Sequence, residues 1–172
     1  VVRFNDLAPL TYGKPGYENP HFIAYAKGIT LQKPWAHNTK KHINQEYIDC
    51  NQHVSESSYY KIAIDVLQGL HQELGLNDLF ANEQTAPIVF SSNIEFSREV
   101  FVDEEVTIAV VLFPESPDFR KWRRLFEIYN QADELSAKII SQGAFFDLQT
   151  RKVKAPSLGL YKAFKSHNLV KG

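Results

Sequence analysis

Apolar residues in the first half of the chain follow the spacing of one long helix. From Ser57 or Ser58 onward they recur every three or four positions, which places them on one buried face. The members of this face are Tyr59, Ile62, Ala63, Val66, Leu67, Leu70 and Leu74. Gly75 follows directly and predicts the end of the helix, because glycine readily adopts the left-handed conformation that closes many helices.

The pattern changes after a linker over residues 77–84, and the strong signals beyond it are strands. Four runs rich in β-branched and aromatic residues are separated by turn-forming residues. They span residues 87–99, 105–113, 121–131 and 137–149. The short turns between them predict an antiparallel meander with the helix across its apolar face. With a strand over residues 40–48 and a short helix opening at Ser157, the fold class is α+β.

The first part of the chain has a different character. Residues 1–38 contain prolines at intervals that exclude a long helix, at Pro9, Pro15, Pro20 and Pro34. The same segment is too apolar for a free tail, since it carries Phe22, Ile23, Tyr25 and Trp35. We therefore expect an N-terminal arm that packs on the domain of residues 39–172 or on a neighbouring subunit.

Composition narrows the class of function. The chain has 172 residues, with 19 Lys and Arg against 20 Asp and Glu, so it lacks the positive field expected of a nucleic-acid-binding protein. A single cysteine, Cys50, excludes an intrachain disulfide. No apolar run reaches the roughly 18 residues that span a bilayer, and the first residues lack the order of a signal peptide. These features predict a cytoplasmic protein without membrane or nucleic-acid partners.

The polar loop before the helix carries a recognisable motif. The segment DCNQHVSESSYY, residues 49–60, resembles the D-x-N-G-H-[MV]-x-x-x-x-Y signature of hotdog-fold acyl-CoA thioesterases of the 4-hydroxybenzoyl-CoA thioesterase-like group. The stretches NIEFSREVFVDEEVTI and LSAKIISQGAFFDLQTRKVKAP resemble later strands of that family. The local motif DxNxHxSE, preceded by YID, is most similar to the corresponding segment of betainyl-CoA thioesterases. The family's glycine is replaced by Gln52, a residue that tolerates positive φ poorly.

The resemblance implies a hotdog fold, in which an antiparallel sheet wraps around one long central helix. It implies hydrolysis of an acyl-CoA thioester to a carboxylate and CoA by a homodimer or dimer of dimers. Coenzyme A enters as part of the substrate, and no metal or other cofactor is expected. A lone sheet edge also favours pairing across a two-fold axis, with the active site at the dimer interface.

By resemblance, Asp49 is the catalytic acid, acting as nucleophile or as general base, and Asn51 and His53 are the polar residues that follow it. Glu56 is a rival catalytic carboxylate, as is Asp65 further along the helix. A structural role for His53 and a helix-capping role for Asp49 stay open. A Cys50–His53 nucleophile is disfavoured, because a lone cysteine is more often inert. A metal site built from His42, Asp49 and His53 lacks any recognised ligand spacing.

The remaining candidates bind substrate. The free N–H groups at the start of the helix, around Glu56 to Ser58, are suited to the oxygen of the thioester carbonyl. The predicted substrate-binding residues are Ser57, Ser58, Tyr59 and Trp122, and aromatic residues of this kind would surround a betainyl cation. The predicted CoA-binding residues are Arg98, Arg123, Arg124 and Arg151. Two alternative functions remain, an acyl-carrier-protein thioesterase and a non-catalytic acyl-CoA binding protein.

Overall fold

The computed structural model describes residues 38–171, which form one antiparallel sheet with three α-helices. The strands are β1 (Asn38–His42), β2 (Thr85–Phe96), β3 (Glu105–Pro114), β4 (Lys121–Tyr129), β5 (Leu135–Asp147) and β6 (Lys152–Val153). The helices are α1 (Glu56–Glu73), α2 (Leu76–Asn82) and α3 (Leu158–Ser166), with a short 3-10 helix at Gln45–Tyr47. The predicted α+β class is confirmed. The predicted N-terminal arm lies outside the described residues.

The order of strands differs from the predicted meander. The sheet runs β1-β3-β4-β5-β2, and β6 pairs antiparallel with the end of β5. Strands β3, β4 and β5 are consecutive neighbours, as expected, but β2 pairs with β5 at one edge and β1 pairs with β3 at the other. Residues 97–104 therefore connect two separated strands. A local turn pattern does not specify such a crossover, because pairing is decided by contacts far apart in sequence.

Helix α1 forms as its apolar spacing predicts. Ser55 is the N-cap, and its side chain accepts a hydrogen bond from the N–H of Ser58. The helix ends at Glu73 with Leu74 as its C-cap, and Gly75 follows with φ 69°. The predicted strand over residues 40–48 is shorter, because Asn44 caps the 3-10 helix that follows β1.

The expectation of one long helix and one short helix is incomplete within the described residues. The predicted linker over residues 77–84 contains helix α2, whose Leu76 and Phe80 are buried. Helix α3 begins where Ser157 caps it, as predicted, and buries Leu160 and Phe164. Helix α2 was hard to foresee, because two apolar anchors do not establish a helical period.

The core lies between α1 and one face of the sheet. Ile62, Ala63 and Val66 of α1 belong to the same buried cluster as Trp122 and Phe126 of β4. Burial on this scale holds α1 in place, since each large apolar side chain contributes roughly 1.5–3 kcal/mol. The start of α1 is thereby fixed against the sheet. None of the helices in residues 38–171 is long and apolar enough to cross a membrane.

Candidate active site

A tight loop holds Asp49 ahead of helix α1. The N–H of Asn51 donates to Asp49 Oδ1 at 2.8 Å, and the N–H of Gln52 donates to the Asp49 carbonyl at 3.1 Å. The N–H of Asp49 donates to the His53 carbonyl at 3.0 Å, which closes the loop. One carboxylate oxygen is thus occupied by the backbone, as in an Asx turn, and the other is left for chemistry.

Gln52 adopts the backbone conformation that suits glycine. Its φ is 68°, in the left-handed region. This conformation is costly for a residue with a Cβ, yet the surrounding hydrogen bonds impose it. The side chain at Gln52 therefore places strain in this loop.

His53 lies between two carboxylates. Its Nδ1 is 2.9 Å from Glu99 Oε1, and its Nε2 is 3.6 Å from Asp49 Oδ2. The first distance is a hydrogen bond, whereas the second leaves the Asp49 oxygen outside direct contact. The side chains of Asp49 and His53 are each 28% exposed, so both are reachable from solvent.

The connection between β2 and β3 brings Glu99 to this loop. The N–H of Val54 donates to the Val100 carbonyl at 2.9 Å, and His53 forms an isolated antiparallel bridge with Phe101. Glu99 is a residue that the sequence analysis missed. It is exposed and 46 positions away from His53, so periodicity gives no signal for it.

These groups line a cavity of about 700 Å³ at the start of α1. The predicted catalytic residues Asp49, Asn51, His53 and Glu56 all contribute to its wall. So do the predicted binding residues Ser57, Tyr59 and Arg98, together with Val54, Ser55, Phe96, Ser97 and Glu99. The structure therefore brings together most of the residues selected from the sequence motif. Their catalytic and binding roles stay predictions.

The first turn of α1 forms one wall of the cavity. The opening N–H groups of a helix have no intrahelical acceptor and mark the positive end of its dipole. Ser58 does not line the cavity: it is buried, and its hydroxyl is 2.7 Å from the Ser55 hydroxyl. Glu56 and Ser57 are the residues whose N–H groups lie at this opening.

Two aromatic rings form a second wall. Tyr59 and Phe96 meet edge to face with their centroids 5.3 Å apart. The Tyr59 hydroxyl donates to the Arg98 carbonyl at 3.3 Å, and burial raises the pKa of Tyr59 to about 12. Tyr59 is therefore a neutral donor at physiological pH.

The charge of the wall is predominantly negative. Asp49, Glu56 and Glu99 contribute three carboxylates, against the guanidinium of Arg98. Arg98 Nη2 lies 4.0 Å from Glu134 Oε1, and both side chains are more than half exposed. No group of three His, Cys, Asp or Glu side chains in residues 38–171 has an arrangement that could hold a metal ion.

The other predicted binding residues lie elsewhere in the fold. Trp122 and Arg124 are buried in β4 and line a separate small cavity, together with Phe145 of β5. Arg123 is also buried, where it pairs with Glu115 at 2.6 Å. These burials remove the ready access to phosphate that the CoA-binding prediction requires of Arg123 and Arg124.

Arg151 lies in the turn after β5, and its guanidinium is 5.0 Å from the centre of the Phe146 ring. The rival acid Asp65 is engaged by Lys61 at 2.6 Å and by the Tyr47 hydroxyl at 3.3 Å. Lys61 is also the principal reason that the pKa of Asp65 is lowered. Asp65 is absent from the cavity wall, which leaves Glu56 as the alternative carboxylate there.

Comparison with known proteins gives a family match and several matching folds. The sequence matches the family described as the thioesterase-like superfamily over residues 43–164. No curated protein matches the chain at a significant level.

Three solved structures illustrate the shared fold. A hypothetical protein from Staphylococcus aureus, solved in complex with CoA, superposes with a TM-score of 0.69 at 14% identity, covering 84% of this chain and 91% of that chain. A 1,4-dihydroxy-2-naphthoyl-CoA thioesterase from Synechocystis has a TM-score of 0.62 at 13% identity, covering 73% and 91%. A thioesterase from Thermus thermophilus, complexed with coenzyme A and Zn, has a TM-score of 0.65 at 11% identity, covering 80% and 97%. These similarities support the hotdog fold expected from the sequence.

Proposed function

The chain belongs to the thioesterase-like superfamily, and we propose that it hydrolyses an acyl-CoA thioester to a carboxylate and free CoA. The observation that carries this proposal is the position of Asp49. Its carboxylate lines the cavity at the opening of α1, with one oxygen fixed by the loop and the other 3.6 Å from His53 Nε2. The names of the superposed structures, two of which were solved with CoA, agree with this class of substrate.

Two chemical routes use the same carboxylate. As a general base, Asp49 takes a proton from water while the water oxygen attacks the thioester carbon; the C–S bond then breaks and CoA leaves as a thiolate that is protonated. As a nucleophile, Asp49 itself displaces the thiolate and forms an anhydride, which water then cleaves. Asp49 Oδ2 lies 3.6 Å from His53 Nε2, beyond hydrogen-bond distance, so this oxygen is available to either route.

The opening of α1 supplies the second requirement of the reaction. Negative charge develops on the carbonyl oxygen in the tetrahedral intermediate, and the N–H groups of Glu56 and Ser57 lie at the positive end of the helix. Loss of one such donor typically costs roughly 3–4 kcal/mol of transition-state stabilisation. This arrangement explains why the acid directly precedes the helix.

The proposal also extends to the chemical nature of the acyl group. Three carboxylates and the Tyr59–Phe96 ring pair favour a cationic acyl group such as betainyl, because cations are attracted to both carboxylates and aromatic faces. Trp122, which was predicted to bind substrate, does not belong to this group, because it lines the separate cavity. The face of Trp122 already has the Arg124 guanidinium 5.3 Å from its centre.

The proposal is tested by release of free CoA thiol from short, branched, aromatic and betainyl CoA esters. We expect Asp49→Ala to reduce turnover by orders of magnitude, whereas Cys50→Ala, at the adjacent exposed residue, keeps it. Matched carrier-protein esters separate an acyl-carrier-protein thioesterase from a CoA enzyme. Binding of CoA esters without release would indicate a non-catalytic binding protein, and activity in Asp49→Ala would transfer the role to Glu56.

Assembly is part of the proposed function. Strand β2 lies at the edge of the sheet and exposes Val89, Phe90 and Phe96, each by more than 40%. Phe96 also lines the cavity, so a second copy paired along β2 would cover this edge and complete the wall. We expect a homodimer of this kind, with no cofactor other than the CoA of the substrate.

A further inference from the structure

A second cavity lies between α1 and the sheet, away from the proposed active site. Its volume is about 20 Å³, which is enough for one small molecule or ion. The wall is mostly apolar and is formed by Leu67, Phe80, Pro87, Leu112, Phe145 and Phe164, with three polar side chains among them. These three are His71, Trp122 and Arg124.

One edge of the Arg124 guanidinium carries N–H groups that make no hydrogen bond within the described part of the chain. The residue is 4% exposed, and its Nε and Nη2 atoms have no hydrogen-bond partner within residues 38–171. The Tyr60 side chain is the nearby group that raises the pKa of Arg124, against the lowering caused by burial. The N–H groups of Nε and Nη2 project side by side from one edge of the planar group, which is the fork that binds two oxygens or one anion.

The other polar groups add to this donor character. The indole Nε1 of Trp122 is a donor and also lacks a partner. Burial, reinforced by the charge of Arg124, lowers the pKa of His71 to about 4, so His71 is neutral at physiological pH. The cavity wall therefore has one positive charge and several N–H groups, and none of the residues that line it carries a carboxylate.

The charge of Arg124 is unusual for a buried group. Burial lowers the pKa of Arg124 only to about 10, so it stays charged at neutral pH. The neighbouring Arg123 is equally buried but pairs with Glu115. Among the ion pairs of residues 38–171, none includes Arg124. The guanidinium lies 5.3 Å from the centre of the Trp122 ring and 4.8 Å from that of Phe126, which stabilises the cation in part. The rings do not neutralise its charge, and a buried charge is unfavourable unless it is paired, so a bound anion would account for its retention.

We propose that this cavity is a binding site for a small anion, held by the Nε–H and Nη2–H groups of Arg124 with the Trp122 indole nearby. The ligand is a halide or a small carboxylate such as formate, since both accept several N–H groups and neutralise the charge. A water molecule fills the same volume but neutralises nothing. The site is independent of the thioesterase reaction, because it shares no residue with the cavity that contains Asp49.

Thermal unfolding of the full chain tests the proposal. The melting temperature is measured in sodium gluconate, whose anion is too large for the cavity, and then with increasing replacement by chloride, bromide or formate at constant ionic strength. We expect a saturable rise of a few degrees for the wild type, because a ligand of the native state stabilises it. Comparison of halide with formate identifies which anion the cavity prefers.

Three variants assign the effect to Arg124. Arg124→Met removes the charge and the fork, and Arg124→Lys retains the charge without the fork, so both should lose most of the saturable rise. Arg123→Met is the matched control, since it also removes a buried arginine of β4 but leaves the cavity intact. It should be less stable than the wild type yet keep the response to anions.

A direct measurement keeps the proposal testable if a variant fails to fold. Crystals of the wild type soaked in bromide should show an anomalous peak within hydrogen-bond distance of Arg124 Nε and Nη2. A water molecule at that position without bromide exchange would overturn the proposal. So would a melting temperature that depends on the anion equally in the wild type and in Arg124→Met.

Discussion

Glu99 is the residue whose contribution to the site is best defined by geometry. By accepting from His53 Nδ1 at 2.9 Å, its carboxylate orients the ring so that Nε2 faces Asp49. Hydrogen bonding at one ring nitrogen decides what the other presents, so we expect Glu99 to act as a positioning residue rather than as a catalytic one. The contact is exposed to solvent, which limits its strength but not its directional effect.

We predict that Glu99→Gln lowers kcat by about tenfold with a smaller change in KM, because general acid–base contributions depend on such orientation. The measurement combines steady-state kinetics with the ¹⁵N shifts of the His53 ring, which report the tautomer without reference to activity. Glu73→Gln, at the exposed far end of α1, is the control. Unchanged ring shifts in Glu99→Gln would show that Glu99 does not position His53.

His71 links burial to the pH dependence of stability. Its ring lies 5.6 Å from that of Phe80 and 6.4 Å from that of Phe164, in the apolar layer beneath α1. The folded-state pKa of about 4 is below the ordinary 6.5. The unfolded chain therefore binds the proton more readily, so the contribution of the neutral ring is complete above pH 6.5 and is lost as the pH falls toward 4.

We predict that the wild type loses roughly 3 kcal/mol more of its free energy of unfolding between pH 7 and pH 4 than His71→Leu does, which is the energy of the pKa difference. Urea unfolding of both proteins at several pH values measures this difference. The buffer should contain no halide, because a bound anion beside Arg124 would itself stabilise a charged His71. Parallel pH profiles for the two proteins would contradict the prediction.

At the scale of single residues, the candidate site was predicted best where its residues lie close together in the sequence. Asp49, Asn51, His53 and Glu56 fall within eight positions, so their proximity follows from one loop and one helix start. Glu99 was missed because its contact with His53 depends on the path of residues 97–104. Arg123 and Arg124 were predicted to bind CoA, but charge alone does not reveal that both faces of β4 are buried.

At the scale of the secondary-structure elements, two glycines differ in the space that surrounds them. A Cβ built on Gly143 of β5 would lie 2.1 Å from the Ile88 carbonyl oxygen and 2.5 Å from two atoms of the Trp122 ring. A Cβ on Gly69 of α1 would meet nothing within 4 Å. The first glycine is thus required by close packing between strands, whereas the second is a weak point in an exposed part of the helix.

We predict that Gly143→Ala lowers the free energy of unfolding by roughly 3 kcal/mol or more, because the clash with backbone cannot be relieved by a rotamer change. Gly69→Ala should raise it by about 0.5–1 kcal/mol, since alanine restricts the unfolded chain and favours helix. Chemical denaturation of both variants gives the two signs. Equal effects of the two substitutions would mean that β5 shifts to accommodate the new methyl group.

The elements differ in how far their sequences determine them. Helix α1 was predictable because its apolar period and Gly75 agree, although the Ser55 cap places its start at Glu56 rather than at Ser57 or Ser58. Strands β2 to β5 were found within three residues of their ends from composition alone. Helix α2 was missed because it is only seven residues long, and its burial depends on the sheet rather than on its own pattern.

For the whole molecule, the order of the sheet is the feature that sequence reasoning did not reach. Placing β2 beside β5 requires the chain to cross the sheet through residues 97–104. That crossover brings Glu99 to His53 and also leaves β2 as an edge strand with exposed apolar residues. The same topological step therefore builds part of the candidate site and creates the surface expected to pair with a second copy.

Two subunits are expected to pair through the edge strand β2. Phe90 is 44% exposed on β2 and is absent from the wall of the proposed active site. We predict that Phe90→Lys converts a dimer to a monomer in light scattering and lowers thioesterase activity at the same time, because Phe96 on the same strand belongs to the cavity wall. A lysine on an edge strand is unfavourable opposite its own symmetry copy and also discourages further pairing.

The control is Leu158→Lys, which introduces the same charge at a 66% exposed residue of α3. It should leave both the mass and the activity unchanged. A fully active Phe90→Lys monomer would show that one subunit contains the complete site. If Phe90→Lys remains dimeric, pairing takes place through another surface, and the activity of that variant then reports only on the local effect of Phe90. If the edge strand both joins the subunits and completes the site, Phe90→Lys must therefore lower the measured mass and the turnover together.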